Sequence, residues 1–218
     1  GAVWVVGFQE LLRLDGDKFR KISEAGYSEI GGTIDEFAVT AGGEVWAATF
    51  KGVSHYASIQ GADKKWTTEE KAKIGAGDDL LAGIAVDKAG RVWVASTHKL
   101  HLRENGAWRD VDVSKAGASS MLFFESLKLA PDESVYALAS TALLHVSAAG
   151  VVTPVPLGGR SIASYGRLAV ASGGALAARD GDNAIVWPAG GSSRVYESRD
   201  NKDFAADNIK AVAADDGG

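Results

Sequence analysis

Cysteine is absent from the 218 residues. That excludes disulfide staples, thiolate catalysis and Cys-based zinc centres. It leaves the compartment open, because exported and cytosolic proteins can both lack cysteine. Proline is scarce, with 4 residues, and the composition excludes collagen and highly charged disordered chains. A strong charge of one sign is missing too: 23 basic against 28 acidic residues leave a formal charge of −5. Sequence-independent nucleic-acid binding needs clustered Lys and Arg, so no nucleic-acid partner is expected. The densest basic stretch, Lys64–Lys73, also holds Glu69 and Glu70 and reads as a solvated mixed-charge edge. The chain starts at Gly1 without Met or an apolar leader, which is expected of a processed or excised domain.

A long unbroken apolar run is also missing. Ser134–Gly159 has no Asp, Glu, Lys or Arg, but Ser147-Ala-Ala-Gly150, Pro154, Pro156 and Gly158-Gly159 divide it. Consecutive buried strands are expected there, not a membrane span. No Gly-x-Ser-x-Gly elbow, His-Glu-x-x-His helix or P-loop occurs.

What the chain does have is glycine, 27 residues or about 12%, against about 7% in typical proteins, and a repeat. Gly43–Thr49 (GEVWAAT), Gly90–Ser96 (GRVWVAS) and Glu133–Ala139 (ESVYALA) resemble one another. Gly1–Gly7 (GAVWVVG) is a fourth copy, and Gly174–Asp180 (GALAARD) a degenerate fifth. The anchors Trp4, Trp46, Trp93, Tyr136 and Ala177 are spaced by 42, 47, 43 and 41 residues. A strand-like pair precedes four of them: Phe37/Val39, Ile84/Val86, Leu127/Leu129 and Leu168/Val170. The second member always lies seven residues before its anchor, across a Gly-, Asp- or Pro-rich turn. That is a hairpin signal. A third run follows each anchor (Leu11–Leu14, Val53–Tyr56, Leu100–Arg103, Leu143–Val146, Ile185–Trp187). A fourth follows a polar turn (Phe19–Ile22, Trp66–Thr68, Trp108–Val111, Val151–Thr153, Val195–Tyr196). No segment has a helical apolar period.

Four short strands repeated about every 44 residues give the β-propeller plan. The expected fold is all-β: a single domain over residues 1–218, a five-bladed propeller of four-stranded antiparallel blades. One blade is split between the termini. Residues 208–216 resemble a first strand, with Val212 and Ala214 in the paired apolar slots. Joined to Trp4 without Gly1, they restore the seven-residue spacing. A monomer is expected, because stacked blades bury one another's faces. Glycine excess then follows from about 20 tight connections, some needing positive φ.

The unit from Ile84 to Ser96 (IAVDKAGRVWVAS) resembles the two-component regulator propeller repeat of bacterial proteins. Units one to three match well, the fourth less, and the fifth lacks the Trp. The resemblance implies a sensor or interaction module in a larger protein, often periplasmic or extracellular. Members commonly have more than five blades, and the departure leaves room for an engineered or reassembled ring without a selected ligand.

Candidate sites follow from this frame. His55 and His145 share a repeat slot with Arg13, Leu102 and Trp187, which points to packing or surface roles; no metal or other cofactor is expected. Asp180-Gly-Asp182-Asn183 begins like a calcium loop but lacks the twelfth-position Glu, so a turn carrying one inserted residue is expected. The anchors read as inter-blade core, and Trp187, outside the anchor slot, as a surface residue. Asp35, Glu36, Glu125 and Asp207 stand near first-strand starts, where paired carboxylates would serve a lyase or glycosidase; solvated loop charges are the plainer reading. The expected contact surface is the mouth built by loops before the first strands and between the second and third. Its candidate ligand-binding residues are Glu36, Lys51, His98, Glu125, Tyr165, Arg167, Arg179 and Asp180. The partner is an unidentified small molecule, glycan or protein, and no catalytic residue is assigned.

Overall fold

The computed structural model describes residues 3–6, 10–22, 30–57, 66–116, 122–157, 167–180, 183–189 and 192–197. Among these residues, nineteen short strands form five antiparallel sheets. The first contains β1 (Trp4–Val6), β2 (Leu11–Asp15) and β3 (Lys18–Lys21). The second runs β4 (Ile34–Val39), β5 (Val45–Thr49), β6 (Gly52–Tyr56) and β7 (Trp66–Glu70). The third contains β8 (Leu81–Val86), β9 (Val92–Ser96), β10 (Leu100–Glu104) and β11 (Ala107–Asp110). The fourth contains β12 (Phe124–Leu129), β13 (Val135–Ala139), β14 (Ala142–Val146) and β15 (Val152–Val155). The fifth contains β16 (Leu168–Val170), β17 (Leu176–Asp180), β18 (Asn183–Trp187) and β19 (Arg194–Tyr196). One helical turn, α1 (Lys71–Ile74), follows β7. Strands meander in chain order within each sheet, and β4, β8, β12 and β16 contact one another in sequence as the inner strands. This is a five-bladed propeller. The expected closing strand, residues 208–216, lies outside the described residues, and the first blade shows three described strands.

The Asp-x-x-Gly turn has a visible cause. Gly90 adopts φ 77° and its N–H bonds Asp87 O at 3.0 Å. The buried Asp87 carboxylate accepts from Arg91 N at 2.9 Å, Arg91 Nε at 2.6 Å and Trp93 Nε1 at 3.4 Å. The turn and the anchor are thus one hydrogen-bonded unit. Trp93 is fully buried and packs with Leu127, Val135 and Leu144 of the next blade. Trp46 packs likewise on Leu81, Ile84 and Val92. The apolar faces that single blades would expose are spent between blades, where burial is worth about 25 cal/mol per Å². Trp4 and Tyr136 are only half-buried.

Register corrects three expectations. Anchors pair with the shared slot as Trp4↔Arg13, Trp46↔His55, Trp93↔Leu102 and Tyr136↔His145. In the fifth blade Ala177 pairs with Val186, not Trp187. Asp180 pairs with Asn183, so the hairpin carries no inserted residue. A slip of one residue changes faces: Trp187 is buried, opposite Leu176, and donates from Nε1 to Pro156 O at 3.0 Å. It is not a surface aromatic. Glu69 is not a solvated charge either. It accepts from Arg103 Nε at 2.9 Å and Trp108 Nε1 at 3.0 Å, tying the second blade to the third. These bonds, with Lys73, hold its carboxyl below the ordinary range although burial pushes it up. Within Ser134–Gly159, β13, β14 and β15 replace any span, and no described helix is long and apolar enough to cross a membrane.

Candidate functional site

Each of three consecutive inner strands begins with the same irregularity. Ile34 pairs with Thr49 and Glu36 with Ala48, which leaves Asp35 unpaired. Leu81 pairs with Ser96 and Gly83 with Ala95, leaving Ala82. Phe124 pairs with Ala139 and Ser126 with Leu138, leaving Glu125. A β-bulge inserts a residue and re-aims its side chain. Asp35, Ala82 and Glu125 all line one cavity of about 720 Å³. Its other walls come from Thr33, Leu80 and Phe123 before the inner strands, Glu36, Leu81 and Phe124 on them, and Phe50 and Thr97 after the second strands. Arg167, just before β16, completes the lining. The cavity therefore sits at the mouth served by the two loop classes named from sequence.

The rim is apolar and the interior charged. Phe50, Leu80 and Phe123 are exposed by 63%, 61% and 43%, high values for side chains of this kind. Below them, Glu36 of β4 accepts from Lys128 Nζ of β12 at 3.2 Å. The Asp35 carboxyl is pushed up by burial, against the pull of the Lys71 ammonium. Arg167 Nη1 donates to Glu125 O at 3.5 Å, and Arg167 O accepts from Arg179 N at 2.8 Å.

His98 stands at the edge of the same mouth. Its ring lies 5.0 Å from that of Phe123, and Nδ1 is 2.7 Å from Asp79 Oδ1. Burial alone would raise the Asp79 pKa, but hydrogen bonds from the His98 ring, the His98 backbone and Ser96 Oγ lower it. Deeper in the blade, Ser96 Oγ is 3.1 Å from His101 Nε2, and His101 Nδ1 is 2.9 Å from Asp110 Oδ1. The order is that of a Ser-His-Asp triad. Ser96 and His101 are both fully buried, however, so no substrate carbonyl reaches Oγ and the chain of bonds holds β9, β10 and β11 together.

Glu36, Glu125 and Arg167 are thus brought into one cavity and His98 to its edge. Lys51 lies in the β5–β6 loop with its backbone bonded to Gly31 and Lys71, away from the lining. Arg179 and Asp180 end β17 and are not on the lining. Tyr165 and Asp207 lie outside the described residues. The sequence reading missed Phe50, Leu80 and Phe123, whose only signal was an apolar residue just outside a strand. His55 and His145 pack on their anchor rings at 3.9 Å and 5.0 Å. Among the described residues no group of three His, Cys, Asp or Glu could hold a metal ion.

No protein-family model matches this sequence, and no curated protein sequence does. Solved structures are similar in fold. A streptogramin B lyase aligns at TM-score 0.69 and 14% identity, over 90% of this chain and 65% of its own. Virginiamycin B lyase from Staphylococcus aureus aligns at 0.66 and 13%, over 90% and 66%. The extracellular domain of BT4673 from B. thetaiotaomicron, described as a one-component system, aligns at 0.67 and 16%, over 96% and 28%. This chain spans less than two thirds of the lyases and under a third of the BT4673 domain. At such identities the likeness is one of fold, and it extends the resemblance to two-component regulator propellers from repeat pattern to architecture.

Proposed function

We propose that this chain is a non-enzymatic ligand-binding propeller module and that the mouth cavity is its contact surface. One observation carries the reading: three bulges, one per consecutive blade, turn Asp35, Ala82 and Glu125 into a single cavity. Its volume of about 720 Å³ suits a small molecule or a short segment of a larger partner. Unlike residues from each blade suit an asymmetric ligand. The extracellular domain of a one-component system among the fold neighbours supports a sensor role within a longer protein, outside the cytoplasm. A thermal-shift screen of metabolites, glycans and peptides tests this. The expected result is a stabilising ligand whose effect is lost in Phe123→Ala and Glu125→Gln while the unliganded melting temperature stays put. Hits unaffected by these substitutions would overturn the assignment of the surface.

A second reading, a lyase, is favoured by the His98–Asp79 contact of 2.7 Å beside Phe123. A carboxylate on Nδ1 orients an imidazole and leaves Nε2 for proton transfer. The lyases among the fold neighbours add support. It requires that His98→Ala abolish turnover of a bound ligand without abolishing binding.

A further inference from the structure

The second blade contributes Asp35 and Phe50 to the mouth, and an ammonium group stands beside them, off the cavity lining. Lys71, the first residue of α1, holds Nζ 5.1 Å from the ring centroid of Phe50. Its charge also reaches the Asp35 carboxyl. Both Phe50 and Asp35 line the cavity. An aromatic face attracts a cation through its quadrupole, and a nearby carboxylate adds a full negative charge in a partly desolvated setting.

We propose that the Asp35–Phe50 wall is a recognition site for a small organic ammonium ion bearing an apolar body, with Lys71 as the protein's own occupant of that wall. The inference rests on the mouth being a binding surface. Asp35 suits the role because it forms no hydrogen bond or ion pair among the described residues, whereas Glu36 is engaged with Lys128. The bulge fixes its position on the rim of β4. Leu80 and Phe123, exposed on the same cavity, supply apolar surface for the body of the ligand. Arg167 is the cation among the lining residues and comes from the fifth blade, with Nη1 directed to the Glu125 carbonyl. An anion would have to satisfy itself there, away from the Phe50 ring. The incoming ammonium displaces Lys71, which swings into solvent and keeps its charge hydrated.

The test uses three probes with one tail and three charges: hexyltrimethylammonium, hexanol and hexanoate, titrated calorimetrically into the whole chain. The ammonium is expected to bind about tenfold more tightly than hexanoate. Asp35→Asn and Phe50→Ala should each abolish that preference, and Lys71→Met should strengthen ammonium binding severalfold by emptying the wall. Phe123→Ala should weaken all three probes alike. Melting curves establish that each variant folds. If hexanoate binds as well as the ammonium, or if the preference survives in both Asp35→Asn and Phe50→Ala, the ammonium site is wrong while the mouth remains a binding surface. If Lys71→Met leaves ammonium affinity unchanged, the displacement is wrong. If none of the probes binds at all, the ammonium site is wrong, and the mouth reading is decided by the ligand screen.

Discussion

Glu36 and Lys128 meet at 3.2 Å although they belong to the second and fourth blades and the inner strand β8 lies between those blades in ring order. The pair reaches past β8, and Glu36 also lines the mouth cavity. Both side chains are partly shielded, at 28% and 35% exposure. It therefore couples two blades that share no sheet, and it uses the charge of Glu36 before any ligand arrives.

Opening this bridge should loosen the ring modestly. Lys128→Ala is expected to cost about 1 kcal/mol, since partly exposed ion pairs are screened. For a chain of this size that is a drop of roughly 2–4 °C in melting temperature. The charge-swapped double variant Glu36→Lys with Lys128→Glu should recover most of the loss. A double-mutant cycle with no coupling would show that the contact contributes nothing.

Acid should weaken the fold in a defined window. His101, fully buried, and His55, half-buried on Trp46, both have pKa values lowered, first of all by burial. Asp110 opposes this at His101 and Glu44 at His55. Below the ordinary histidine value, about 6.5, the unfolded chain takes up protons that the folded chain refuses. Stability is then complete above that value and is lost as pH falls from it toward the folded pKa values. Melting temperature measured between about pH 7.5 and 5.5 should decline, above the range in which the carboxylates titrate. His55→Phe, which keeps a ring on Trp46, should decline less steeply. A melting temperature that is flat or rises toward pH 5.5 would contradict the burial argument.

The fold was legible because a propeller repeats its chemistry. Trp46 and Trp93 recur with the same turn before them and the same strand after, and the strands that carry them are buried throughout. Topology alone pointed to the loops and strand ends from which Glu36, Glu125 and Arg167 line one cavity. Bulges escaped because a one-residue shift depends on the partner strand, and nothing in Ile34-Asp35-Glu36 marks which residue goes unpaired. Trp187 was misread for the same reason, since an assumed insertion moved it by one position and so to the other face. Glu69 was misread because its partners Arg103 and Trp108 lie in the next blade, out of reach of local charge patterning.

Residues 208–216 bear on closure, and their assignment as a first strand lies outside the described residues. In the second to fifth sheets the anchor strand has a first strand beside it, as β5 has β4. β1, the anchor strand of the first sheet, has β2 on one side only among the described strands. If 208–216 fill that place, removing residues 208–218 strips one ladder and exposes an edge. The truncated chain should melt well below the parent or form oligomers in light scattering. Equal melting with a monomeric mass would refute the assignment.

Gly83 sets how closely two blades approach. A Cβ built on it would lie 2.7 Å from both Leu127 Cβ and Leu127 N, so β8 and β12 are in contact through the space a side chain would fill. Gly83 belongs to the same register slot as Glu36 and Ser126, which carry side chains there. The demand is therefore local to this blade pair and not a property of the repeat. Gly83→Ala must push back either backbone or the Leu127 stem, and overpacking of this kind costs about 1–3 kcal/mol. The melting temperature should fall by roughly 2–4 °C for each of those kcal/mol. Leu127→Gly removes the obstructing Cβ, which an alanine there would keep, so the cost of Gly83→Ala should shrink in that background. An unchanged cost would mean that the backbone of Leu127, not its side chain, sets the spacing.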